Sequence, residues 1–170
     1  FTPSSVVINW GQVNFFVVNG AYWQLITSMF IHADIVHLFG NMLFLLIFGL
    51  RAEEMFSLPE YLSVYFIGGL TGNLLYLLFG PLTVPAVGAS GAIFAIFAAA
   101  VVYDRRSIKQ SILGAVVFAF FLFFINMGAN TNLLAHFGGL VAGLILGYVI
   151  ASLRKPEQYS YEFKYRHTPF

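Results

Sequence analysis

Eight Lys and Arg side chains constrain this chain most, because one threading places all of them on a single side of a membrane. When the apolar runs cross back and forth, Arg51, Arg105, Arg106, Lys109, Arg154, Lys155, Lys164 and Arg166 share one face, and the other face receives neither Lys nor Arg. That asymmetry marks the cytoplasmic side of polytopic membrane proteins. Only 9% of the residues are charged, against about 25% in a soluble domain, and the mean hydropathy is +0.84. A chain of 170 residues of this kind predicts one helical bundle. No basic patch with interleaved aromatics is present, so a nucleic-acid partner is not expected. The absence of cysteine excludes disulfides, thiolate metal sites and a cysteine nucleophile. Since the chain starts at Phe1 without an initiator Met, it is expected to be a fragment or a processed product.

The expected fold is all-α, a polytopic transmembrane bundle with five spans. Residues 1–35 are apolar but broken by Pro3, Gly11 and Gly20. Phe15–Val18 is far too short to span a bilayer, which takes roughly 20 residues. This segment is read as an ordered outer interfacial loop anchored by Trp10, Tyr22 and Trp23. The helical core is placed at 36–153 and a polar cytoplasmic tail at 154–170. The spans are Ile35–Leu50, ended by Arg51, Glu53 and Glu54; Tyr61–Phe79; Ser90–Tyr103, ended by Asp104-Arg105-Arg106; Ser111–Ile125; and Leu133–Leu153. Asn126–Asn132 makes a short outer loop.

The third span has about 14 residues, or about 21 Å, against a hydrocarbon core of about 30 Å. It therefore starts below the outer surface. The irregular stretch Thr83–Ala89 ahead of it must dip into the membrane, which is tolerated only inside protein or along a wet cavity. Small residues recur every four positions on two helices, Gly91, Ala95, Ala99 and Gly139, Gly143, Gly147. Such stripes permit close backbone approach. Spacing alone leaves open whether they meet each other or other helices.

Polar groups at membrane depth are costly and so are functional candidates. Ser90, in Gly88-Ala89-Ser90-Gly91, opens a helix. An N-cap serine is the plainer reading, but the glycines allow close approach of a ligand, and amides at a helix start point at developing negative charge. His136 shares a face with Gly139 and Gly143. If the two stripes meet, His136 reaches Ser90, and a serine beside a neutral histidine is the minimum for an activated hydroxyl. Asp34 is the only outer acid and lies in a loop, so a dyad is expected rather than a triad. His37 and Asn41, at i and i+4, share one face of the first span. They fit either as oxyanion donors or as an interhelical hydrogen-bonding pair. His32 lies just outside. A zinc site from His32, His37 and His136 is disfavoured, because the His32–His37 spacing is not that of a metal helix and no carboxylate supports it. Asn73, on the second span, has no assigned role.

Three motifs carry a family resemblance: His32-Ala-Asp-Ile-Val-His37-Leu-Phe-Gly-Asn41-Met, Gly88-Ala-Ser90-Gly91 and Ala135-His136-Phe-Gly-Gly139. In this order, within a polytopic chain, they resemble the rhomboid intramembrane serine proteases from Tyr22 to Leu153. The resemblance implies Ser90 as nucleophile and His136 as general base. It implies an oxyanion hole from His37, Asn41 and backbone amides around Gly88 and Ala89, with His32 in support, a structural role for Glu53, and Phe94 packed on the histidine. It implies no cofactor and no metal. Expected partners are single-pass transmembrane substrates and membrane lipid. The expected location is a prokaryotic plasma (inner) membrane, with the active site extracytoplasmic and the C-terminus cytoplasmic. Two departures are visible: the family's Trp-Arg is Trp23-Gln24 here, and its first helix would precede Phe1. A non-proteolytic rhomboid-like binding factor, or a proton path through His37 and His136, are the competing classes.

Overall fold

The computed structural model describes residues 2–107, 117 and 132–154. The expected span 111–125, apart from Val117, and the tail after Arg154 lie outside these residues. Every regular element among the described residues is helical, apart from one isolated bridge between Gln12 and Ala86. Among the described residues, three helices are long and apolar enough to cross a membrane.

Residues 1–35, read as an ordered interfacial loop, contain three short helices: α1, Ser4–Trp10; α2, Asn14–Val18; and α3, Gln24–Thr27, which runs into a 3-10 turn at Ser28–Phe30. Each is too short to hold by propensity. What holds them is a set of buried polar side chains, considered with the site below. Gly20, at φ 109°, turns the chain between α2 and α3.

Helix α4 runs Ile35–Met55. Asp34 caps it, its carboxylate accepting the His37 amide at 2.8 Å. A wider, π-type turn interrupts it at Leu45–Gly49. The helix continues five residues past the expected end at Leu50 and carries Arg51, Glu53 and Glu54 on its last turn rather than beyond it. An Arg51–Glu54 ion pair at 2.6 Å sits on that turn, and the chain leaves helical geometry only at Phe56. Helix α5, Leu58–Phe79, begins three residues before the expected Tyr61, because Ser57 and Glu60 form a reciprocal capping box with Pro59 in the first turn. Glu53 remains exposed, beside Phe56 and Tyr61 in a shallow cleft.

Helix α6, Ser90–Ser107, extends past the expected Tyr103 through Asp104, since nothing in Asp-Arg-Arg-Ser breaks a helix. Its apolar part, Ser90–Asp104, remains too short to span by itself. Helix α7 occupies Leu133–Leu153, the bounds read from the sequence. Asn132 caps it through its side-chain oxygen, which accepts the Ala135 amide at 3.1 Å.

Helix α6 is the centre of the bundle, with every residue from Ala95 to Ala100 buried. One side packs with Ala52, Phe56 and Val64 and the other with Leu140. The two small-residue stripes do meet. A methyl group at Gly139, Gly143 or Gly147 would lie 1.9, 2.2 or 2.4 Å from the carbonyl oxygen of Gly91, Ala95 or Ala99 respectively. No side chain fits in that seam, so the α6 and α7 backbones touch. A third stripe, Gly68, Gly69 and Gly72 on α5, was not read from the sequence. It seats α5 against Ala95, Ala92 and the Ala135 carbonyl.

At the end of the bundle away from Ser90, Arg154 gathers four elements. Its guanidinium pairs with Glu60 of α5, donates to the Met55 carbonyl of α4 at 2.6 Å and the Tyr103 hydroxyl of α6 at 2.9 Å, and lies over the Tyr103 ring.

Candidate active site

Ser90 is the first residue of α6 and His136 the fourth of α7. Because the seam brings Gly91 against Gly139, those two ends lie at one level. The Ser90 Oγ and His136 Nε2 are 2.6 Å apart, a short hydrogen bond. His136 is buried. The ring of Phe94, one turn beyond Ser90, lies over the imidazole with centroids 4.7 Å apart and planes inclined 33°. The imidazole is therefore held between a ring and a helix seam, with one nitrogen aimed at a hydroxyl.

The segment before Ser90 turns through Gly88 at φ 121°, a conformation open to glycine and strained for other residues. A side chain at Gly88 would in any case strike His37, whose Cε1 and Nε2 would both lie 2.8 Å from the added carbon. Asn41 Nδ2 would lie 3.9 Å from the same point. So His37 and Asn41, on α4, face the turn that leads into Ser90. Ala89, between them and Ser90, is buried, and its carbonyl accepts the Ile93 amide in the first turn of α6.

The Ala33 amide approaches His37 Nδ1 at 3.4 Å. An acceptor at Nδ1 leaves the ring proton on Nε2, the nitrogen beside Gly88. Asn41 donates one Nδ2 hydrogen to the His37 carbonyl at 2.8 Å, and its buried Oδ1 has no partner among the described residues. The second Nδ2 hydrogen is available for another acceptor. His32 packs its ring edge-on to His37, with centroids 5.3 Å apart, and accepts a hydrogen bond at its carbonyl from the Thr2 hydroxyl. Burial holds the His32 pKa below its ordinary 6.5, and the neighbouring His37 lowers it further. His32 and His37 are thus adjacent, whereas His136 bonds to Ser90. Among the described residues no group of three His, Asp or Glu side chains is arranged to hold a metal ion.

A second set of groups lies beside the site; the sequence singles out Gln24 and Asn73 without a role and does not single out Gln12, Asn14 or Ser28. Gln12, Asn14, Gln24, Ser28 and Asn73 are all buried. Gln24, standing where the resembling family has Arg, accepts the Val13 amide and donates to the Ile8 carbonyl, both at 2.9 Å. Trp23 Nε1 donates to the Asn9 carbonyl at 3.1 Å. Asn14 Nδ2 donates to the carbonyls of Tyr76 and Pro81 at 2.8 and 3.1 Å. These bonds tie α1, α2 and α3 to one another and to the end of α5. They also satisfy much of the irregular chain before Ser90: the Phe15 amide donates to the Leu82 carbonyl, and Tyr76 Oη to the Val84 carbonyl. The only signal for them in the sequence is amide side chains inside an apolar stretch.

Comparison with known proteins adds to this geometry. Residues 19–153 match the family described as Rhomboid domain. The rhomboid protein YdcA of Bacillus subtilis (strain 168) is 34% identical over 158 residues, which is 86% of this chain and 78% of that protein. RHOMBOID-like protein 6, mitochondrial, of Arabidopsis thaliana is 33% identical over 163 residues, 92% of this chain. Rhomboid protease GluP of Bacillus subtilis is 30% identical over 162 residues, also 92% of this chain. The chain spans 51% of the Arabidopsis protein and 31% of GluP.

Proposed function

The chain belongs to the rhomboid family of integral membrane proteins, and on that premise we propose that it is a serine endopeptidase that cleaves transmembrane proteins in or near the membrane by a Ser90–His136 dyad. The observation that carries the reading is the 2.6 Å contact between Ser90 Oγ and His136 Nε2 at the start of α6. Family membership supports a protease role for such a pair.

His136 Nε2 takes the proton of Ser90 as its Oγ attacks the scissile carbonyl carbon. The carbonyl π electrons move to oxygen, and this oxyanion sits against the Gly88 turn. Donors there are His37 Nε2–H, the free hydrogen of Asn41 Nδ2 and backbone amides near Ser90. Losing one such donor costs about 2.7–4 kcal/mol of transition-state stabilisation. The imidazolium returns its proton to the leaving amine, the C–N bond breaks, and water hydrolyses the acyl-enzyme with His136 again as base. Phe94 keeps the imidazole from swinging away. His32 supports His37 from behind. No cofactor or metal enters these steps.

The basic residues at the Arg154 end orient the dyad toward the extracytoplasmic side. A helical substrate has its carbonyls engaged in hydrogen bonds, so a cleavable segment must unwind. Gly or Pro near the cut favours that.

The test uses purified protein in detergent with a transmembrane substrate. The parent cleaves it and is labelled at Ser90 by a fluorophosphonate; Ser90→Ala does neither and keeps its melting temperature. Undiminished cleavage by Ser90→Ala overturns the proposal. A parent that neither cleaves nor labels leaves the client-binding class instead.

A further inference from the structure

We infer that Asn73, in the C-terminal third of α5, is a positioning residue for the turn that precedes Ser90, acting through Ser28. This rests on the proteolytic reading above. The turn is held at two points outside its own helix. Ala86 exchanges both backbone hydrogen bonds with Gln12, at 2.9 and 2.8 Å, and the Gly88 amide donates to the Ser28 carbonyl at 2.9 Å. Both partners belong to the segment before α4, which is itself built of short helices and cannot hold a fixed position alone.

Asn73 supplies that position. Its Nδ2 donates to Ser28 Oγ at 3.0 Å and to the Leu25 carbonyl at 2.8 Å, fixing the 3-10 turn that carries the Ser28 carbonyl. The Asn73 carbonyl accepts Gln12 Nε2 at 2.9 Å, and that same side chain donates to Asn14 Oδ1. One residue of α5 therefore reaches both anchor points, Ser28 for Gly88 and Gln12 for Ala86. All four side chains are buried, so water does not replace a lost bond without reorganisation. α5 is in turn seated on α6 and α7 through Gly68 and Gly72. The chain of contacts thus runs from the bundle core, through Asn73 and Ser28, to Gly88, whose plane faces His37 and Asn41. A misplacement of about 1 Å in such a turn costs on the order of 100-fold in rate.

In Asn73→Ala, assayed well below its melting temperature, kcat on a transmembrane substrate falls about 10- to 100-fold with KM within about twofold, and the fluorophosphonate labelling rate of Ser90 falls in step. Ser28→Ala, which removes only the hydroxyl, gives a smaller loss of the same kind, and the double variant costs less than the product of the two single losses. Hydrogen exchange of the 86–90 segment rises in both. Wild-type kcat in folded Asn73→Ala with unchanged exchange at 86–90, beside a parent that cleaves and labels, overturns the inference and leaves the proteolytic reading standing. Losses that multiply independently in the double variant also overturn it. A parent that neither cleaves nor labels fails the proteolytic reading itself and removes this inference with it.

Discussion

Two regions meet at Ser90, and they are held together by opposite means. On one side is the α6–α7 seam, where glycine and alanine let two backbones touch with no side chain between them. On the other is the segment before α4, where buried amide side chains reach across to backbone groups of other elements. The seam sets the distance between Ser90 and His136. The amide lattice sets the turn at Gly88. The first uses shape and tolerates no added atom; the second uses directional bonds and tolerates no missing partner. In an apolar solvent both are strong solutions, because neither depends on the hydrophobic effect between helices.

The largest expected effect tests the seam. Gly139→Ala places a methyl group 1.9 Å from the Gly91 carbonyl oxygen, a backbone atom that cannot rotate away. It should cost about 3 kcal/mol or more and abolish fluorophosphonate labelling of Ser90. Gly147→Ala, at 2.4 Å from the Ala99 carbonyl oxygen, should destabilise comparably, yet leave the folded fraction reactive, since it lies about 12 Å further along the helix. Melting curves and labelling of the two variants, compared side by side, sharpen the contrast; equal loss of labelling would break it, showing that the seam acts as one unit.

A smaller effect tests the lattice. Gln24→Ala strands the Val13 amide and the Ile8 carbonyl and should lower stability by about 2 kcal/mol. Limited proteolysis should then cut first within residues 1–34. Protection equal to the parent would mean that the amide bonds are dispensable there. The smallest effect is in pH. The His32 pKa is lowered in the folded chain, so the unfolded chain binds the proton more readily. The associated stability is complete above about pH 6.5 and declines as the pH falls below it. A melting temperature followed from pH 7.5 to 5.5 should drop less steeply in His32→Gln than in the parent.

The same contrast explains what could be read beforehand. The two stripes were legible because a four-residue repeat of small residues is a helix-period signal, but spacing left their partners open; their meeting, which brings His136 to Ser90, is a tertiary fact. The bounds of α7 were legible because Asn132 and Arg154 flank a run that is apolar apart from His136 and Ser152 and contains no proline. Charge at Arg51, Glu53 and Glu54 marks the end of the apolar run but not the end of the helix, because Arg51 and Glu54 pair on a continuing turn. The amide lattice was not legible at all. Asn73, Ser28 and Gln12 are separated by up to 61 residues, and no spacing rule connects a side chain to a backbone carbonyl on another element. Gln24, a visible departure from the family's Trp-Arg, has no charge but provides both a donor and an acceptor. The short helices before α4 were missed for the same reason, since their propensity is weak and the bonds that stabilise them are tertiary.

The bare contact between α6 and α7 has a mechanical consequence. Two rods that touch at Gly91 and Gly139, with nothing compressible in the gap, leave the Ser90 and His136 tips no play for as long as that nearest contact holds. Warming should therefore leave the hydroxyl-to-imidazole separation almost constant until the rods part along their length. Turnover in such a molecule would not fade gradually as the temperature climbs; it would end abruptly, at the point where the whole barrel of helices comes undone.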